Sequence, residues 1–220
     1  INDIEPIDTE LMLADLESLE RRSTALVKKT RGNDKDAITT LAIIEKVIEA
    51  LKAGKPARSV AAQLEDQAVL NELHLLTAKP VMYVCNVGEE DSRTGNAYSE
   101  RVAARAAAEG AVSVVISAAI EAEIAQLTNS EERAEFLESI GLEDTGLSQI
   151  IAAGYKLLGL ITYLTAGPTE SRAWTITEGT KAPQAAAAIH TDFERGFICA
   201  ETIAFEDYIS CAGEAGAKEA

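Results

Sequence analysis

The run Val81-Met82-Tyr83-Val84-Cys85 constrains this chain most. Apolar and aromatic residues follow one another there without polar alternation, and Lys79-Pro80 closes the preceding helical region. Such a strand suits a parallel sheet covered on both faces. Tyr98 to Glu109 has the pattern of a helix, and Ala111 to Ile116 reads as a second strand. Strand, helix and strand at this spacing predict a right-handed parallel crossover. The first strand ends in Asn86-Val87-Gly88-Glu89 and the second in Ser117-Ala118. Open α/β sheets bind ligands at the carboxyl ends of their strands.

The chemistry of that edge points to a purine base. A carboxylate there can accept from the two adjacent donors of guanine, its ring N–H and its amino group. Adenine presents an amino donor beside a ring acceptor, so an ionised carboxylate would face a lone pair. Guanine-reading proteins place Asp three residues after the asparagine, whereas this chain has Glu89. The longer side chain can swing away and leave backbone groups to read adenine. Sites built on specific hydrogen bonds reject mismatched partners strongly, so the exchange predicts weakened guanine preference. Asn-x-x-Glu alone is a common pattern; its place at a strand end, with Ser117-Ala118 at the next, gives it weight. The competing reading is structural, with Asn86 capping a loop and Ser117 capping a helix. No G-x-x-x-x-G-K-[ST] phosphate loop occurs in these residues. No catalytic residue and no metal ligand is therefore assigned, and the phosphate chemistry is expected upstream of Ile1.

Before the first strand the pattern is helical from about Thr9 to Leu76. Leu13, Leu16, Leu19, Ser23 and Leu26 form one stripe, and Ile38, Leu41, Ile44, Ile48 and Leu51 another. Arg31-Gly32-Asn33-Asp34 lies between the two stripes, and Gly54-Lys55-Pro56 stops the second. The expected result is an antiparallel helical hairpin. It is either a plain structural element or an arm that docks onto a partner, as its heavily charged outer face would allow. Further helices are expected over Glu121 to Leu127, Ser130 to Ile140 and Ser148 to Leu157. Strands are expected over Leu160 to Thr165 and Arg172 to Thr177, joined by the turn Ala166-Gly167-Pro168-Thr169. A helix over Lys181 to Phe193 and a strand over Phe197 to Ile203 complete a small β-grasp-like α+β module.

Composition narrows the partners. The formal charge of −16 over 220 residues argues against general affinity for nucleic-acid backbones, although a local basic patch is compatible with it. No apolar run approaches the ~20 residues that span a bilayer, so no membrane partner is expected. Cys85, Cys199 and Cys211 lack metal-like spacing. They read as reduced thiols of a cytosolic protein, with a redox-sensing thiol as the alternative. His74, among leucines, is expected to be packed. His190 in His-x-Asp could support acid–base work. Trp174 with Arg172 is read either as an exposed recognition surface or as core.

The chain resembles the YchF or Obg-like ATPases of the P-loop GTPase superclass over essentially its whole length. The carriers are Asp3-Ile4-Glu5, Leu13-Ala14-Asp15-Leu16, Gly54-Lys55-Pro56-Ala57-Arg58 and Leu75-Leu76-Thr77-Ala78-Lys79-Pro80-Val81. Asn86-Val87-Gly88-Glu89, Thr162-Tyr163-Leu164-Thr165-Ala166-Gly167 and Ile189-His190-Thr191-Asp192-Phe193-Glu194-Arg195-Gly196 continue the match. The resemblance implies an α/β fold: part of a P-loop GTPase-like parallel sheet, a helical coiled-coil insertion and a C-terminal TGS module of β-grasp type. The nucleotide domain would supply residues 1–7 and 79–146, the insertion 8–78, and a truncated TGS module 147–220. In that family Asn-x-x-Glu accompanies ATP preference over GTP, which implies Asn86, Val87 and Glu89 as base-site residues and Ser117-Ala118 as the base-side loop. It also implies Mg2+ held by upstream residues, and for His190 a structural or partner-contact role instead of acid–base work. The expected function is an ATP-hydrolysing regulatory switch, with a nucleotide-sensing adaptor or a GTPase as alternatives. The implied setting is cytoplasmic, with the ribosome as partner, a role in stress responses, and protein contacts through the helical arm and TGS module.

Overall fold

In the computed structural model, residues 3–220 are described apart from 31, 62, 65 and 168. Ile1, Arg31 and Pro168, to which the sequence assigns a place in the chain's organisation, thus lie outside the described residues. The chain divides into two compact units, the first ending at Leu157 and the second beginning at Leu158.

The first unit opens with α1 (Ile4–Thr30) and α2 (Lys35–Lys52). Asp34 caps α2 by accepting from the amides of Asp36 and Ala37, which offsets part of the unpaired N–H charge of its first turn. The two helices pack as an antiparallel hairpin; Lys52 of α2 reaches back to Glu20 of α1 at 3.1 Å. They share a core with α3 (Arg58–Ala61), α4 (Gln67–Glu72) and the following loop: Leu19, Ile44, Val47, Leu51, Leu70 and Leu75 are all buried. The stripe on α1 differs from the expected one. Leu13 is 58% exposed, while Met12, Leu16 and Leu26 pack against the core and Asp15 is buried. Positions 12, 15, 16 and 19 recur at three- and four-residue steps, so Leu13 falls to one side of the buried face. On α2 the same logic exposes Ile38 and buries Ala37.

His74 is also a correction. It is exposed, and its φ of +53° turns the chain between buried Leu73 and Leu75. The left-handed turn lets both leucines face inward at the expense of the residue between them.

Beyond this helical part, β1 (Met82–Asn86), α5 (Ala97–Glu109) and β2 (Val112–Ile116) form a strand–helix–strand unit. β1 and β2 pair in parallel from Met82 opposite Val112 to Asn86 opposite Ile116. Asn96 and Ser99 form a reciprocal capping box at the start of α5, and Gly110 ends it with φ +67°, a left-handed value that favours glycine. Then come α6 (Ala118–Ile124), α7 (Ser130–Ser139) and α8 (Gly146–Leu157). Both α5 and α8 pack on the β1–β2 pair. Coverage of the sheet is incomplete, since Val84 remains 44% exposed. The sequence pattern places a boundary at 146/147, at the start of α8, whereas the compact units divide after α8 ends.

The second unit contains the antiparallel hairpin of β3 (Leu160–Ala166) and β4 (Ser171–Thr177). Tyr163 stands opposite Trp174. The helices α9 (Ala182–Ile189) and α10 (Thr191–Arg195) replace the single helix expected over 181–193. His190 divides them, since its extended backbone ends α9 and its Nδ1 accepts from the Asp192 amide. The strand expected over 197–203 does not form; no ladder partner pairs with it among the described residues, and Ile198 is 92% exposed. Beta propensity forms no strand without a neighbour to pair with. The short helices α11 (Phe205–Ser210) and α12 (Glu214–Glu219) follow.

Candidate base-binding site

Parallel pairing in register brings the carboxyl ends of β1 and β2 together, and the residues singled out in the sequence lie there. The Asn86 side-chain oxygen accepts from the Ala118 amide at 2.9 Å. Val87 donates its amide to the Ile116 carbonyl at 2.9 Å, extending the ladder one step beyond the strand. Asn86, Val87, Ser117 and Ala118 are thereby held in one corner. Ser117 is the N-cap residue of α6, but its hydroxyl makes no capping bond. The side chain is 4% exposed and Oγ has no hydrogen-bond partner among the described residues. Leaving a buried hydroxyl unpaired costs about 1–3 kcal/mol, so this group can accept or donate if a partner enters.

Glu89 stands on the next turn, a single 3-10 turn over Glu89–Asp91 introduced by Gly88. Its carbonyl accepts from the Ser92 amide and hydroxyl, while its carboxylate is exposed and makes no hydrogen bond or ion pair among the described residues. Asp91 receives the Asn96 side-chain amide at 2.9 Å, tying this turn to the cap of α5. The arrangement leaves an uncommitted carboxylate on the loop that follows Asn86.

Sequence reasoning missed the rear of the corner. Glu121, on the first turn of α6, accepts from the Gly146 amide at 2.6 Å and the Leu147 amide at 3.2 Å. It therefore caps α8 from a neighbouring helix. Gly146 is buried, and a Cβ there would lie 2.8 Å from Cγ2 of Ile116. Thr145 and Ser148 could have located the start of α8, since the Thr145 hydroxyl accepts from the Ser148 amide. Nothing in the sequence tells that Glu121 serves a helix that begins so far along the chain.

Beneath the corner, Tyr83 of β1 donates to Glu109, which also receives Arg105 at 2.8 Å. Arg105 reaches Asp8 of α1 at 2.7 Å. Burial, then the Glu109 carboxylate, pushes the Tyr83 phenol above its ordinary value. Burial likewise raises the Cys85 thiol, one residue before Asn86. Among the described residues no cluster of histidine, cysteine and carboxylate side chains could hold a metal ion.

Comparison with known proteins agrees with this architecture. A family model described as "YchF-GTPase_C: Protein of unknown function (DUF933)" matches residues 160–220. A protein of Bacillus subtilis named "Ribosome-binding ATPase YchF" is 50% identical over 222 aligned residues, covering 100% of this chain and 60% of the relative. Its namesake from Escherichia coli O157:H7 is 52% identical over 219, again with 100% and 60% covered. A solved structure, described as "Structure of the Schizosaccharomyces pombe YchF GTPase", superposes with a TM-score of 0.87 at 34% identity, covering 99% of this chain and 60% of that one. The chain spans about 60% of the length of the relatives it matches. The fold is that of an α/β protein of the P-loop GTPase-like class. Within that class, the chain is similar over its whole length to proteins named YchF.

Proposed function

We propose that the intact protein is an ATP-binding and ATP-hydrolysing regulatory switch, preferring ATP to GTP, that associates with the ribosome. The observation that carries this reading is the bond from Asn86 to the Ala118 amide, which sets the Asn-Val-Gly-Glu loop beside the 117–118 backbone at one sheet edge. Asn86, Val87, Glu89, Ser117 and Ala118 form the purine corner. Backbone groups read the adenine amino group there, and the Glu89 carboxylate stays clear of the adenine ring nitrogen. The names of the bacterial relatives support both the nucleotide and the ribosome. Mg2+ and the phosphates are held by residues of the intact protein outside this chain. Residues 8–78 act as a helical coiled-coil insertion and the C-terminal part as a TGS module, both contacting protein partners in the cytoplasm during translation and stress.

A GTPase reading is favoured by the name of the fission-yeast relative. Glu89→Asp separates the two, because the shorter carboxylate can hold both guanine donors. In the intact protein it should raise GTP affinity at least tenfold, a gap of about 1.4 kcal/mol; unchanged affinity contradicts the adenine reading. Single-turnover hydrolysis with and without ribosomes tests the switch. Strong stimulation supports it, whereas slow, unaltered turnover with nucleotide-dependent binding supports an adaptor.

A further inference from the structure

The base corner is held from two sides, and only the front was legible in the sequence. In front, Asn86 accepts from the Ala118 amide and the Ile116 carbonyl accepts from Val87. Behind, the Ile116 side chain presses on Gly146, where there is no room for a Cβ, and Glu121 binds the amides of Gly146 and Leu147. Glu121 belongs to the same helical turn as the corner, because its amide donates to the Ser117 carbonyl at 3.1 Å. A shift of Glu121 therefore moves Ser117 and Ala118 with it. The carboxylate is partly buried and faces two N–H groups at the positive end of a helix, a charge-assisted arrangement stronger than a neutral one.

We propose that Glu121 is a positioning residue for base recognition: by anchoring α6 to the N-terminus of α8, it fixes the 117–118 backbone against Asn86 at the distance needed to read adenine. The proposal rests on the purine-corner reading above. Glu121 touches no base; it acts through Ser117 and Ala118. Helix α8 is then part of the frame of the base site.

The test uses the intact protein and two ligands, ATP and inorganic triphosphate, the second lacking the base. The readout is the dissociation constant of triphosphate divided by that of ATP, which reports what the nucleoside adds to binding. Glu121→Gln keeps the size of the side chain but faces one helix amide with an NH2 group. It should lower the ratio about fivefold or more, the worth of one such hydrogen bond, with triphosphate binding unchanged. Asn86→Ala is the control for the underlying reading. If Asn86→Ala lowers the ratio and Glu121→Gln does not, the positioning role is overturned while the base site stands. If neither lowers it, the base site itself fails and the positioning role with it. Should Glu121→Gln not fold, hydrogen exchange on the unaltered protein decides. Coupling is reciprocal, so ATP, and not triphosphate, should slow exchange at the amides of Gly146 and Leu147. Equal protection by both ligands, or by neither, overturns the proposal.

Discussion

Asn86 and Cys85 are neighbours on β1 with opposite fates. Asn86 is exposed, and its side-chain oxygen is committed to the Ala118 amide. Cys85 is half-buried, and loss of hydration holds its thiol above the ordinary range. The thiolate is the reactive form, so Cys85 should be modified several-fold more slowly than exposed Cys199 at pH 8. Maleimide labelling followed by peptide mass spectrometry measures the order; Cys85 reacting first would contradict it. Tyr83 adds a pH dependence of defined sign. Its folded value is raised, so its contribution to stability is complete below the ordinary phenol range and is lost as pH rises through the folded value. Alkaline titration by ultraviolet absorbance should show late-ionising tyrosines, and Tyr83→Phe should remove one. Tyr163, also raised by burial, accounts for another.

At the scale of elements, Asp15 shows what a hydrophobic stripe conceals. It sits on the buried face of α1, 3% exposed, where it accepts from the amides of Leu76 and Thr77 and from the Thr77 hydroxyl at 2.7–2.9 Å. Thr77 in turn accepts from the Ala57 amide. The carboxylate thus ties α1 to the segment that leads into β1. Asp15→Ala would strand two backbone donors and cost about 3 kcal/mol, more than a typical surface change. Hydrogen exchange at the Leu76 and Thr77 amides should accelerate about a hundredfold, and denaturant unfolding should shift in the same sense. Unchanged exchange there would show that water replaces the carboxylate. This network explains why the stripe reading failed at Leu13. Period alone identifies α1 as amphipathic, but which residues face inward depends on a partner segment sixty or so positions away. The same limit hid Glu121. By contrast β1, α5 and β2 were legible within a residue or two, because apolar runs and helical spacing are local signals.

Over the whole molecule, the parallel crossover and its two strand ends could be read from the sequence, since parallel direction follows from strand–helix–strand spacing, whereas the register comes from the structure. The second unit was legible through β4 and then less so. A β-rich run at 197–203 has the composition of a strand and lacks a partner among the described residues. What the fold adds is the join: Asn86 in front, Glu121 behind, and the 117–118 backbone between them. The central claim is that a corner carrying Glu89 selects adenine. Isothermal titration of the intact protein with ATP and GTP under identical magnesium and salt tests it most directly. The account predicts ATP binding at least tenfold tighter, a difference of about 1.4 kcal/mol; GTP binding as tightly as ATP, or more tightly, would contradict it.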